Sequence, residues 1–67
     1  MYLLSQNKKR LVNMNSIDCL VIEDKAIYAK KNEEKMLLGI YEDEDAALSE
    51  YQSIIENLEP ESVLVME

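Results

Sequence analysis

The sequence predicts a small α+β domain, in which an antiparallel β-meander of about five or six short strands carries one amphipathic helix on one face. Three observations predict it. Residues 43–58 have helical periodicity, short apolar or alternating segments elsewhere are separated by polar turns, and a length of 67 residues fits a single domain, residues 1–67.

The predicted helix is the segment 43–58, DEDAALSEYQSIIENL. Asp43 is expected to cap its first turn, and the two acids that follow suit the positive end of the helix dipole. Pro60 disfavours helical backbone in the residue before it, so the helix should end near Leu58. Its apolar residues recur at the spacing that forms one buried stripe: Ala47, Leu48, Tyr51, Ile54, Ile55 and Leu58.

The remaining segments read as strands joined by turns, with a polar hairpin loop at 6–9 and a two-residue turn at Asp24 and Lys25. Gly39 lies inside a strand pattern, which indicates a bulge or a close approach of the helix. The predicted strands are 2–5, 10–14, 17–23, 26–31, 35–41 and 62–66.

One helix leaves part of the predicted sheet without a cover. The second apolar set, drawn from Leu20, Ile22, Leu37 and Tyr41, would lie on the face opposite the helix. Closure of the sheet into a partial barrel, or a partner subunit, is expected to cover it. A domain of this size buries only about 60% of the surface of its unfolded chain, which also favours oligomerisation.

The composition excludes several classes of site. Histidine is absent and Cys19 is the only cysteine, so this chain forms no internal disulfide and no zinc site of the usual kind. Cys19 is predicted to be a small buried apolar residue in a reducing, cytoplasmic compartment. The longest apolar runs are far too short to span a membrane, so a soluble protein is expected, with no membrane partner.

Catalysis is not expected. Without histidine the commonest general base is missing, and one glycine cannot form a phosphate-binding loop. The acidic run 42–45 lacks the ligand spacing and the glycine of a calcium loop, and dipole-matched acids at a helix start explain it. We therefore predict a protein that is not an enzyme and has no catalytic, metal or cofactor site.

The charge is divided unevenly along the chain. Residues 1–35 carry seven basic and five acidic side chains, whereas residues 36–67 carry nine acidic side chains and no basic one, which gives the net −7. This distribution argues against direct binding of nucleic acid, since phosphates are neutralised by Lys and Arg. It is compatible with a protein partner that has a basic surface.

Part of the sequence resembles small uncharacterised proteins of Gram-positive bacteria and their phages or mobile elements. Those proteins begin with an LxSQ…VN hairpin and later carry an LGxY strand followed by a capped helix. The matching residues are Leu4, Ser5, Gln6, Val12, Asn13, Leu38, Gly39, Tyr41, Asp43 and Ala47. The resemblance implies an accessory protein of a phage or mobile element, and no functional residue comes with it.

The first functional hypothesis is a non-enzymatic acidic interaction protein. It would bind, and inhibit, a basic nucleic-acid-binding protein of a host defence system, because a row of carboxylates can imitate a phosphate backbone. The partner-binding residues would be Glu42, Asp43, Glu44, Asp45, Glu50 and Glu56. The alternative is that the acidic surface has no binding role and only keeps a small protein soluble.

Two further hypotheses come from other classes. One is a homo-oligomer that binds a small ligand between subunits, with Arg10, Lys30 or Lys35 as cationic donors if the ligand is a nucleotide. The other is a structural adaptor that uses the strand 62–66 to extend a partner's sheet. The basic cluster 8–10 is interpreted as a solvated hairpin loop that protects a sheet edge.

Overall fold

The structure is a computed structural model that describes residues 1–57 and 63–67. The elements of this part of the chain are β1 (Tyr2–Leu4), β2 (Leu11–Asn13), a 3-10 turn (Met14–Ser16), β3 (Cys19–Glu23), β4 (Ala26–Lys31), β5 (Glu34–Ile40), α1 (Glu44–Glu56) and β6 (Val63–Val65). The helix packs on β3 and β4. The predicted α+β fold with one helix on a sheet is thereby confirmed.

The described strands form two three-stranded sheets rather than one continuous meander. The N-terminal sheet has the order β2-β1-β6, and the central sheet has the order β3-β4-β5. The central sheet and the β1–β2 pair are antiparallel, but β1 and β6 run parallel. The predicted antiparallel pairing thus holds for β1–β2 and for the central sheet, and the pairing of the last strand, which the sequence leaves open, is parallel. The chain reaches β6 through the helix, and a crossover of that kind can return a strand parallel to its neighbour.

Both sheets and the helix share one core. It includes residues of both sheets, of the helix and of the segment after β6. The buried residues of the cluster are Leu3, Val12, Ile27, Ala29, Leu38, Ala47, Ile54 and Met66. The residue after β6 is therefore part of the core, so the C-terminal segment is an integral layer of the fold.

The helix begins where the sequence predicts. Asp43 has extended backbone, and its Oδ1 accepts a hydrogen bond from the N–H of Ala46 at 2.8 Å. The helix ends at Glu56, with Asn57 as its cap, and the predicted last residue of the stripe, Leu58, lies outside the described residues.

Only part of the predicted stripe is buried. Ala47 and Ile54 are fully buried and Tyr51 is half-buried, whereas Leu48 and Ile55 are 43% and 49% exposed. The helix is thus rolled so that one flank of its apolar stripe faces solvent. The apolar spacing predicts a stripe but does not say where on it the sheet contact ends.

The faces of β3 differ from the expectation. Leu20 and Ile22 pack against the core, while Cys19 is exposed at the edge of the central sheet. The prediction of a buried cysteine is therefore wrong, because the helix covers the face to which the two larger residues point. Tyr41 also packs against the core, so Leu37, 45% exposed, is the one member of the predicted uncovered set that stays largely in solvent.

Gly39 lies at an irregularity in β5. The β4–β5 register shifts between Ile27 and Tyr28, which leaves Leu38 as an extra residue on β5. A Cβ on Gly39 would meet the hydroxyl of Tyr41 at 3.0 Å and the Cβ of Gln6 at 3.1 Å. The predicted bulge is confirmed, and the close neighbours are Tyr41 and Gln6 rather than the helix.

Candidate interaction surfaces

The acidic cluster, Glu42 to Asp45, lies between β5 and the body of α1: Asp43 is the helix cap, and Glu44 and Asp45 are in the first turn. All four side chains are exposed. Within residues 1–57 and 63–67 the ion pair is Lys35 with Glu23, so no carboxylate of the cluster is neutralised there. Asp43 uses its Oδ1 for the helix cap, and the residue remains exposed. The cluster therefore offers a compact, uncompensated negative surface.

The two other predicted partner-binding acids lie in different surroundings. Glu56 is exposed at the end of the helix. Glu50 is partly buried on the flank of the helix that faces Tyr41 and the C-terminal Glu67. Burial raises the pKa of Glu50, the backbone of Glu67 lowers it through a hydrogen bond, and the charge of Glu67 raises it. Glu50 therefore does not belong to the outward acidic row in which the sequence placed it.

Tyr41 is the buried neighbour of this helix flank. Its hydroxyl oxygen is out of contact with solvent and has no hydrogen-bond partner among the described residues. Burial, and next the negative charge of Glu50, raise the pKa of Tyr41 to about 12. The ring fills the space above Gly39, so packing rather than hydrogen bonding holds this tyrosine.

The geometry of the acids does not suggest a metal site. Among the described residues, no group of three or more Asp, Glu or Cys side chains is placed to hold a metal ion. The described part of the chain also contains no helix with the length and apolar character needed to cross a membrane.

The basic side chains are divided between the two sheets. Lys8, Lys9 and Arg10 are exposed on the β1–β2 hairpin. Lys35 pairs with Glu23 at 2.6 Å and lies 4.5 Å from the centre of the Tyr28 ring, so its charge is already engaged. Lys30 is the cross-strand neighbour of Lys35. The cations proposed for a nucleotide thus lie on different elements: Arg10 on the β1–β2 hairpin, and Lys30 and Lys35 on paired strands of the central sheet.

The β1–β2 hairpin is built by its own polar side chains. The Ser5 hydroxyl, 1% exposed, donates to Asn7 Oδ1 at 2.8 Å and accepts from the N–H of Arg10 at 3.1 Å. Asn7 Oδ1 also accepts from the N–H of Lys9 at 2.9 Å. This local network fixes the loop and displays its basic residues to solvent.

Gln6 joins the N-terminal sheet to the central one. Its backbone N–H donates to the carbonyl of Leu38 at 2.9 Å, and its Oε1 accepts from the N–H of Ile40 at 2.9 Å. Its Nε2 donates to the carbonyl of Glu67 at 3.4 Å. At the edge of β5, the Gln6 side-chain oxygen thus accepts the hydrogen bond that the carbonyl of a neighbouring strand would otherwise accept. Gln6 and Asn7 also line a shallow groove there with Leu37 to Ile40.

The exposed apolar side chains are not spread evenly. Four of the eight large exposed ones in the described residues, Tyr2, Leu11, Val63 and Val65, belong to the N-terminal sheet. This surface was not predicted from the sequence. The sequence feature that indicates it is the pair of uninterrupted apolar triplets, YLL and VLV. In a strand with one solvent-facing side, apolar residues usually alternate with polar ones.

The strand predicted to extend a partner's sheet is β6. It pairs with β1 on one side and is the edge strand of the described N-terminal sheet. An open edge is what the adaptor hypothesis requires. Ser62, which that hypothesis includes, lies outside the described residues.

Neither a family model, nor a curated protein sequence, nor a solved structure matches this chain. The resemblance to small proteins of Gram-positive bacteria and their phages therefore stays a prediction. Five of the residues that carry this resemblance make specific contacts in the structure: Ser5, Gln6, Gly39, Tyr41 and Asp43.

Proposed function

We propose that this chain is a non-enzymatic acidic interaction protein that binds a basic protein surface through Glu42 to Asp45, with Glu56 as a peripheral contact. The observation that supports it best is the exposure of four consecutive carboxylates that no cation neutralises within the described residues. Such a cluster attracts a positively charged partner over a distance of about one Debye length, about 8 Å at physiological salt. Glu50 is left out of the proposed contact, because it is turned toward Glu67.

The partner class is a nucleic-acid-binding protein. Proteins of this class expose clustered Lys and Arg where the phosphate backbone binds, and that is the surface a carboxylate cluster complements. Occupation of this surface would inhibit the partner by competition with nucleic acid. The resemblance to phage and mobile-element proteins makes a host defence protein the expected target.

A pull-down from host lysate at about 0.15 M salt tests the proposal, since a salt bridge-dominated contact should be lost as screening increases toward about 1 M. The test variant is E42Q/E44Q/D45N, which keeps the Asp43 cap. The control, D24N/E33Q/E34Q, removes the same number of exposed carboxylates at the turns of the central sheet.

We expect wild type and the control to retain one basic protein, and the test variant to lose it. The captured protein, once purified, should release labelled nucleic acid when wild type is added. Equal capture by both variants would refute the acidic cluster as the contact. Capture without competition for nucleic acid would refute the inhibitory mechanism and leave only binding.

A further inference from the structure

Helix α1 has an apolar flank that stays exposed within the described part of the chain. Leu48 and Ile55 are 43% and 49% exposed, and Tyr51, which lies between them, is half-buried. Their spacing of i, i+3 and i+7 places the three side chains in one row, and seven residues of helix span about 10 Å. The Tyr51 hydroxyl donates to the carbonyl of Leu20 at 3.4 Å, so this helix flank lies on the side of α1 next to β3.

Acidic side chains border the helix flank. Glu44 stands one turn before Leu48 in the same row, and Asp45 and Glu56 lie beside the row on its solvent side. These three acids are exposed, and within the described residues none of them takes part in an ion pair. Residues 36–67 contain no lysine or arginine. The helix flank therefore joins an apolar contact area to negative charge that its surroundings do not neutralise.

We propose that a basic amphipathic helix of the protein partner packs on the helix flank. Apolar side chains of that helix would cover Leu48, Tyr51 and Ile55, and its Lys and Arg side chains would pair with the bordering acids. The contact rests on the proposed function, in which the same acidic region binds a basic protein, and it adds the shape and the apolar component that the partner presents. Residues at i, i+3 or i+4 and i+7 of the partner helix repeat with the period of this row, as packing of two helices requires.

Charge determines which occupant fits this surface. The chain carries a net charge of −7, and residues 36–67 carry nine acidic side chains. A second copy would bring a helix of like charge onto this one, and the anionic surface of a membrane would also be repelled. A helix with cations beside an apolar row is complementary to both components of the surface.

The two components contribute differently to binding. Exposed ion pairs are screened by salt, and they chiefly speed encounter and orient the partner. Burial of Leu48 and Ile55 is apolar and does not depend on this screening. Salt should therefore weaken the binding of every basic helix, whereas the preference for a helix with an apolar face should persist.

Two synthetic peptides of about 18 residues, five turns of helix, test the contact. The amphipathic peptide carries leucines at i, i+3, i+4 and i+7 spacing and lysine or arginine at most other positions. The reordered peptide has the same composition, with its leucines distributed around the helix. Fluorescence anisotropy of the labelled peptides gives the affinities at about 0.15 M and about 0.3 M salt.

The test variant is L48Q/I55Q, which removes the apolar ends of the row and introduces a good helix former. The matched control, L37Q/I40Q, changes two β5 side chains of similar exposure, 45% and 54%. Circular dichroism establishes that each variant is folded.

We expect wild type and the control to bind the amphipathic peptide about tenfold or more tightly than the reordered peptide, at both salt concentrations. L48Q/I55Q should bind the two peptides equally. Equal binding of both peptides by wild type, or binding of neither, would overturn the inference. So would a preference for the amphipathic peptide that L48Q/I55Q retains.

A measurement on wild type alone covers the case in which L48Q/I55Q does not fold. The methyl NMR signals of Leu48 and Ile55 should shift when the amphipathic peptide is added, while those of Leu37 and Ile40 should not. The reverse pattern would refute the inference.

The acidic-cluster variant E42Q/E44Q/D45N separates this inference from the proposed function. It should weaken binding of both peptides by a similar factor and keep the preference between them. Equal binding of both peptides by wild type, weakened in this variant, would refute the role of the helix flank and leave the acidic contact standing. Unchanged binding in this variant, with the preference kept, would refute the acidic contact and support the apolar one.

Discussion

Replacement of Gln6 by alanine tests how the two sheets are joined. The substitution keeps the backbone hydrogen bond to Leu38 and removes the two made by the side chain, to Ile40 at 2.9 Å and to Glu67 at 3.4 Å. A typical hydrogen bond contributes about 1 kcal/mol net, and the 3.4 Å contact contributes less because it is long. The expected loss is therefore about 1–1.5 kcal/mol.

That loss is large for a chain of this size. Natural domains have about 0.05–0.15 kcal/mol of stability per residue, which for this length is roughly 3–10 kcal/mol in total. A loss of 1 kcal/mol lowers the Tm of a small domain by about 4–8 °C, so Gln6→Ala should lower it by about 5–10 °C. Thermal unfolding followed by circular dichroism measures this. All samples should be measured at one protein concentration, since any association would make Tm depend on it.

The matched control is Gln52→Ala. Gln52 is exposed on the helix, and alanine is the better helix former, so we expect no loss of stability there. Gln6→Glu separates the two side-chain contacts, because a carboxylate still accepts from Ile40 but cannot donate to Glu67. The Tm of Gln6→Glu should therefore lie between those of Gln6→Ala and wild type. Added salt should bring it closer to the wild-type Tm, because salt screens the added negative charge. A Tm for Gln6→Ala equal to that of Gln52→Ala would refute the account of the junction.

Two further predictions concern the buried flank of the helix. Tyr41→Phe removes a buried hydroxyl without a partner in the described residues, so the free energy of unfolding should rise by about 1 kcal/mol. The variant should also lose the absorbance step near pH 12, whereas Tyr2→Phe, at an exposed residue, should keep it. Glu50→Gln removes a carboxyl whose pKa is higher in the folded chain than in the unfolded one. Wild type therefore loses stability as the pH rises from the unfolded-state pKa of Glu50 through its folded-state pKa. Urea unfolding should show the variant more stable than wild type at pH 7, by less than about 1 kcal/mol because the side chain is only partly buried, and equal to wild type below the unfolded-state pKa; a constant difference at all pH values would contradict this.

Local chemistry made several elements predictable from the sequence. The strand Ala26–Lys31 has its predicted bounds, and the helix starts after its predicted cap, Asp43. The turn at Asp24 forms without glycine because Asp24 adopts a φ of 55°, a left-handed conformation that Asp tolerates better than most residues. Each of these depends on neighbours within a few residues.

The features that the sequence did not predict depend on distant contacts. The parallel pairing of β1 with β6 joins the two ends of the chain, and no local pattern specifies it. Glu50 interacts with Glu67, just beyond the end of β6, so its partial burial also depends on a distant residue although its position in the helix repeat is compatible with solvent. The acidic cluster was predictable because four consecutive charges are exposed in almost any fold.

The motif residues and the proposed binding surfaces have different roles. Gln6 joins the sheets, Gly39 admits the Tyr41 ring, and Asp43 starts the helix, so the hairpin and LGxY patterns describe how this fold is held together. Apart from Asp43, these residues lie outside the acidic cluster. Proteins that share the motifs should therefore share the fold, while their partners are set by surface residues that the motifs leave free to vary.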